Sequence, residues 1–401
     1  MAEAAQPRPA PGSLKALILV LGACGFASTF TMRVLDPLVP TLANEFTRSI
    51  PQVATIATTF SFAYAVGQPF LGPVADSFGK LRTISTCLLL LATLSAAAAF
   101  AWSFDALTIM RTAAGIVAGG VIPAAMAAIG DRAPMAERQV QLGRFLVLMI
   151  VGQMAGAACS GLIAAHIGWR GVFLVAGALA AIAGVLVMIV LKPRPDAQRP
   201  KLSFSGALAR YATVFANPQT KVLYGLVIIE GALVFGMPPY VAAILHERAG
   251  VGPSQAGIVI AGTGLGGIVY GILTRVLVER LGPARMTTAG GALMALAYCL
   301  FALPMLPWWS AIAIFTLSGF GFFLMHGTFQ ALATELAPSA RGSAVALFAC
   351  ALFCGHALGP LLMGTALHLF GTSGAILSFA VAVGLLGLLV PRALRLGGSR
   401  T

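Results

Sequence analysis

Charge is what this chain has least of. Only 9% of its 401 residues are Asp, Glu, Lys or Arg and 59% are hydrophobic, whereas soluble domains are about one quarter charged. An ordinary soluble domain is excluded, and the composition is that of a polytopic membrane protein. Acids are scarcer than bases, 12 against 25, leaving a net charge of +13. Such a balance suits nucleic acid only where bases cluster on one patch. Here they sit in alternate loops, and no nucleic-acid partner is expected. The six cysteines (Cys24, Cys87, Cys159, Cys299, Cys350, Cys354) all lie in apolar runs, so no disulfide is expected. No span pairs metal ligands or sets a nucleophile beside a base. Neither an enzyme, a metal nor a cofactor is expected.

What the chain has is apolar length. About 20 apolar residues cross a bilayer as a helix. Runs divided at charged or Pro-rich breaks give twelve spans, at 15–42, 51–75, 83–102, 105–130, 139–165, 171–191, 220–245, 253–278, 285–304, 308–334, 342–368 and 371–391. One set of loops and helix ends carries Lys80, Arg82, Arg132, Arg138, Arg144, Lys192, Arg194, Arg199, Lys201, Arg210, Arg280, Arg285 and Arg341. The opposite set carries Arg48, Arg170 and Arg248. Basic residues mark the cytoplasmic side, so both termini are expected there. Met1 to Ser13 has no basic block, and the first span is expected to act as its own insertion signal. The organisation is then a cytoplasmic tail at 1–13, a six-helix half at 14–191, a cytoplasmic linker at 192–219, a second half at 220–391 and a tail at 392–401. Within the linker, Phe204, Ala207, Leu208, Tyr211, Val214 and Phe215 fall at helical spacing, either an interfacial amphipathic helix or a plain basic linker.

The chain repeats itself. Asp76, Gly79 and Arg82 return as Glu279, Gly282 and Arg285, and Gly152, Gly156, Gly161 and Gly168 return as Gly355, Gly359, Gly364 and Gly371, every pair 203 residues apart. A single shift fitting separate sites marks a duplication. Six spans separate the copies, so the halves are parallel repeats about an axis along the membrane normal, and the fold is an all-α membrane protein of twelve transmembrane helices.

The loop motif Gly72-x-Val74-Ala75-Asp76-x-x-Gly79-Lys80 resembles the signature between the second and third helices of the major facilitator superfamily. Ser77 and Leu81 depart from its usual basic positions. The resemblance implies a small-molecule substrate, alternating access and a monomer in the inner membrane. It also implies that Gly72, Asp76, Gly79, Lys80 and Arg82 form a conformational lock. The plain alternative is that Asp76 caps a helix and the bases face lipid.

Charges inside spans are costly and mark functional positions. Arg33 and Asp36 share a helix face and can pair, and Arg33-Val34-Leu35-Asp36-Pro37 resembles the first-helix signature of drug-proton antiporters in that superfamily. A static outer ion pair is the alternative. Leu107-x-x-x-Arg111-x-x-Ala114-Gly115-x-x-Ala118-Gly119 resembles the fourth-helix signature of proton-coupled members, with Ala114 in place of Gln. Aligning Thr112 and Gly115 with Thr316 and Gly319 sets Phe315 opposite Arg111, so the second half does without the charge. Glu230 falls near mid-membrane and either meets a cationic substrate or is a neutral hydrogen-bonded packing residue. His326 and His356 are further cavity candidates. Proton coupling is assigned to Asp36, Arg111 and Glu230. Gly152, Gly156 and Gly161, with Gly355 and Gly359, resemble an antiporter signature, although small residues four apart also serve as packing contacts. Gly262-Thr263-Gly264-Leu265-Gly266-Gly267 spells a dinucleotide fingerprint, but no strand precedes it and it is set aside.

The expected function is a proton-coupled exporter of small lipophilic or amphipathic compounds. The alternatives are a proton symporter or uniporter that imports an organic solute, and a non-transporting receptor or chaperone.

Overall fold

The computed structural model describes residues 11–193, 204–304, 306–336 and 341–396. Expectations for residues 1–10, 194–203, 337–340 and 397–401 lie outside the described residues. In hydrocarbon every backbone N–H and C=O must find a partner inside its own segment, which forces helices. Among the described residues there is no strand.

The first half contains α1 (Pro11–Arg33), a 3-10 turn (Asp36–Leu38), α2 (Val39–Glu45), α3 (Ile50–Phe78), α4 (Lys80–Ala99), α5 (Phe104–Ala118), α6 (Val121–Arg132) and α7 (Met135–Leu186), which ends in a π turn (Val187–Leu191). After α8 (Phe204–Phe215), the second half contains α9 (Pro218–Phe235), α10 (Pro238–Ala249), α11 (Pro253–Ala302), α12 (Ser310–Glu335) and α13 (Arg341–Ala393).

Among the described residues, eight stretches are long and apolar enough to cross a membrane. Three of them, of 50 to 52 residues, are about 75 Å long at 1.5 Å per residue, more than twice the hydrocarbon thickness. Each turns a corner at one glycine of positive φ: Gly168 at 74°, Gly282 at 67° and Gly371 at 67°. Each is therefore two spans, which makes eleven among the described residues, and α3, at 29 residues, is also long enough to cross. Large apolar side chains such as Leu19 at 69% and Ile272 at 76% exposure stand on the outer surface, where only lipid suits them.

The stretch Gly72–Arg82, expected as a loop, requires correction. Helix α3 continues through Pro69 and Pro73 to Phe78, and Gly79 alone, at φ 101°, divides it from α4. Pro73 lacks an N–H and leaves the carbonyl of Pro69 without its helical partner. The phenol of Tyr211 on α8 donates to that oxygen at 3.2 Å, so the helix survives its prolines. Three spans read as continuous are instead interrupted. The first breaks at the 3-10 turn with Pro37, ahead of Pro40 in α2, the fourth at Gly119 and Gly120 ahead of Pro123, and the seventh at Gly236 ahead of Pro238 and Pro239.

The duplication is repeated contact by contact. A Cβ at Gly152 would lie 2.6 Å from the carbonyl oxygen of Phe26, and one at Gly355 2.2 Å from that of Ile228. Only glycine allows α7 to sit so close to α1, and α13 to α9. Each half keeps its own core, around Leu21, Leu88, Ala118 and Phe145 in the first and Val227, Met294, Met325 and Phe329 in the second. The halves meet where α7 lies on α11 and α3 on α13. Gly161 faces Pro253, and Gly364 faces Pro51 in the matching place. The dinucleotide-like glycines lie inside α11 ahead of its corner at Gly282, where a Cβ at Gly266 would lie 2.2 Å from Thr316 O.

Candidate functional site

Breaking the first span exposes backbone. The last carbonyls of α1 have no N–H one turn ahead, because the chain turns into a 3-10 segment at Asp36-Pro37-Leu38. Arg111 of α5 reaches one of them, its Nη2 donating to Thr31 O at 3.1 Å. A cation at a helix C-terminus also meets the negative end of the helix dipole. Arg111 is among the largest fully buried side chains, with its guanidinium 4.2 Å from the ring centroid of Phe60 and 5.6 Å from that of Phe173. Its Nε and Nη1 have no hydrogen-bond partner.

Arg33, closing α1, donates Nη1 to Asp36 Oδ2 at 3.0 Å, and the two side chains are only 7% and 4% exposed. Asp36 also lies in the field of Arg111. Two bases and one acid share the break, an excess of one positive charge. The guanidinium of Arg33 stands 4.8 Å from the ring centroid of Phe235, which belongs to the second half. One side chain thus joins the buried acid of its own half to the other half.

The equivalent place in the second half is neutral. Leu233, in the last turn of α9, has its carbonyl met at 3.0 Å by the phenol of Tyr298 on α11. Phe315, opposite Arg111 by the slipped alignment, is buried with its ring edge-on to Phe301 at 5.2 Å. Contacts support that alignment: a Cβ at Gly115 would lie 2.3 Å from Phe60 O, and one at Gly319 2.0 Å from Thr263 O.

Glu230 and His326, 96 residues apart, come together. Glu230 Oε2 is 2.9 Å from His326 Nδ1, and its Oε1 has no hydrogen-bond partner. His356 reaches neither, stacking on Phe235 at 4.2 Å. A run of rings links the two charged sites, from Phe60 to Tyr64 (6.4 Å), Phe353 (4.1 Å), His356 (5.6 Å), Phe235 (4.2 Å), Phe322 (5.5 Å) and His326 (4.8 Å). Sequence reasoning passed over these phenylalanines and Tyr64. The available signal was spacing, since Phe322 and His326 stand four apart and Phe353 and His356 three apart, each pair on one helix face.

The lock residues do not form one cluster here. Lys80 pairs with Asp131 at the end of α6, a partner in its own half that sequence reasoning missed. Asp76 and Arg82 are exposed, and a Cβ at Gly72 would meet open space. Asp76 lies near Tyr211, whose phenol is pushed above its ordinary range chiefly by burial, with Arg210 opposing and the charges of Cys350 and Asp76 adding. The side chain of Arg341, at the start of α13, is outside the described residues.

Comparison with known proteins agrees with the fold. The family model described as Major Facilitator Superfamily matches residues 21–353 and again 223–399. The chain is 24% identical over 375 residues to the uncharacterized MFS-type transporter YceJ of Bacillus subtilis, covering 92% of this chain and 93% of that protein. It is 28% identical over 233 residues to the MFS-type transporter TOXA of Cochliobolus carbonum, covering 57% of this chain and 41% of TOXA. The multidrug export protein EmrB of Haemophilus influenzae is 28% identical over 164 residues, 41% of this chain and 32% of EmrB. The crystal structure of a bacterial homologue of the lysosomal transporter Spinster superposes with a TM-score of 0.77 at 18% identity, covering 98% of this chain and all of that one. A family match over most of the chain, on a duplicated all-helical fold, makes this a multi-pass membrane protein and a transporter of the Major Facilitator Superfamily.

Proposed function

We propose that the chain is a proton-coupled secondary transporter that exports small lipophilic or amphipathic compounds by alternating access. It works as a monomer in the cell's inner membrane, with both termini cytoplasmic. The observation that carries this reading is Arg33, which holds Asp36 of its own half and lies over Phe235 of the other. When the halves rock, Arg33 must change partners, and the surroundings of Asp36 change with it. Parallel repeats place a substrate near mid-membrane between the halves, where the run of rings from Phe60 to His326 offers faces for apolar compounds. The end of the molecule bearing Asp76 holds most of the loop bases, which favours the cytoplasm. Export is supported by the likeness to the multidrug export protein EmrB. Asp76 with Gly79, Lys80 and Arg82 supplies the lock between access states at that end.

The energy suffices. A proton descending about 100 mV and one pH unit releases about 2.3 plus about 1.4 kcal/mol, enough for a substrate gradient of roughly several hundredfold. Proteoliposomes carrying an imposed pH gradient, screened across compound classes, test the reading. Wild type should accumulate a compound against its gradient, and Asp36→Asn, which takes from Arg33 its charged partner, should bind it without accumulating it. Accumulation unaffected by collapse of the pH gradient overturns proton coupling. A second reading, import of an organic anion, is favoured by the two unpartnered nitrogens of Arg111. The direction of the proton-driven flux separates the two.

A further inference from the structure

Glu230 has no contact with solvent, and its partner His326 is 13% exposed. His326 is held between rings, stacked on Phe322 at 4.8 Å and tilted against Phe348 at 5.1 Å. The titratable and charged groups on the surrounding elements are few. His326 comes from α12; His356 comes from α13, on Phe235 at 4.2 Å; Arg33 comes from the first half, over the same ring; Tyr298 comes from α11, bonded to Leu233 O. Helix α8 meets α9 through Phe215 and Tyr224, more than a turn from Glu230. Of these groups, only His326 hydrogen-bonds the carboxylate.

A fully enclosed carboxylate has no room for an organic substrate, but a proton needs none. Both residues of the pair belong to the second half, so rocking of the halves leaves their bond intact. The imidazole has two nitrogens, with Nδ1 on Glu230 and Nε2 on the opposite edge of the ring. Resting on the proton-coupled reading above, we propose that Glu230 and His326 form the proton-carrying site of this transporter, with His326 as its port. In the empty state Nδ1–H donates to the Glu230 carboxylate and Nε2 holds a lone pair. A proton binds Nε2 while the Nδ1 hydrogen crosses to Oε2. The product is a neutral carboxylic acid donating to Nδ1 of a neutral imidazole that carries its hydrogen on Nε2. Release is the reverse, one proton in and one out, with no ring flip. The second oxygen, Oε1, has no hydrogen-bond partner to fix the charged form.

The test is infrared difference spectroscopy of the purified full chain in lipid during pH jumps, which needs no substrate. Wild type should show a protonated-carboxyl band that disappears in Glu230→Gln. In His326→Gln, whose amide can still donate to Oε2 but cannot relay, the band should form about tenfold or more slowly. This second variant keeps the proposal testable if Glu230→Gln fails to fold. A band that survives in Glu230→Gln and vanishes in Asp36→Asn overturns the assignment, and so does a wild-type rate in His326→Gln. The two readings fail separately. Protonation at Glu230 in a protein whose flux ignores the pH gradient refutes coupling but keeps the site. Proton-driven flux with the band on Asp36 refutes the site but keeps coupling.

Discussion

The two halves break the same helix and cap it differently. In the first, the freed end of α1 is met by Arg111 on Thr31 O, and in the second the freed end of α9 is met by Tyr298 on Leu233 O. A neutral phenol is therefore sufficient to satisfy such a carbonyl. The charge of Arg111 exceeds what the backbone requires, and placing it in a membrane interior is costly. The comparison teaches that the positive charge has another task, and the first half alone also holds Arg33 and Asp36 at its break.

The largest expected effect sharpens this contrast. Arg111→Ala leaves Thr31 O uncapped and removes the cation over Phe60, so thermal unfolding should show a loss of about 1.5–3 kcal/mol, that of a hydrogen bond from a charged donor. Tyr298→Phe removes one neutral hydrogen bond and should cost about 1 kcal/mol while transport continues. Equal losses at the two positions would erase the distinction between the halves.

The packing glycines should respond alike in both halves. Gly152→Leu and Gly355→Leu each drive a side chain into the backbone of the neighbouring helix and should each destabilise by about 1–3 kcal/mol. Unfolding midpoints in detergent measure this. A large effect in one half and none in the other would mean the repeated contacts are not equivalent.

The smallest effect concerns α8, which has no counterpart within either half. Tyr211→Phe removes the donor to Pro69 O and should cost about 0.5–1.5 kcal/mol, read as faster amide exchange in α8 and around Pro73. Because burial holds this phenol neutral above its ordinary range, docking of α8 should be intact below about pH 10 and loosen as the pH rises past it. The variant should lose that dependence. Unchanged exchange near Pro73 would mean the prolines of α3 need no outside donor.

How far the sequence could be read depends on whether the physics is local. Spans, corners at Gly79 and Gly282, and the Arg33–Asp36 pair were legible because apolar runs, glycine and three-residue spacing act within one segment. The course of α3 through Pro69 and Pro73 was not, because the group that rescues its carbonyl is Tyr211, 142 residues away. Breaks in the first, fourth and seventh spans were hidden in apolar runs long enough to cross unbroken. Of the candidate site, Arg111, Glu230 and His326 were each legible as misplaced polar groups. Their partners were not: the Thr31 carbonyl is 80 residues from Arg111, and the Glu230–His326 pair spans 96. Only packing brings them together.

The most direct test of the central claim, that the charge of Arg111 rather than its capping bond serves transport, is flux under an imposed pH gradient in proteoliposomes of Arg111→Gln. Glutamine removes the charge and, two atoms shorter, also loses the Nη2 bond to the Thr31 carbonyl, so Arg111→Lys, which keeps the charge, is measured beside it. In Arg111→Gln, but not in Arg111→Lys, proton-driven accumulation is predicted to fall by about 100-fold or more, from a protein that folds and inserts normally. Accumulation equal to wild type in Arg111→Gln would contradict the account and reduce Arg111 to a helix cap.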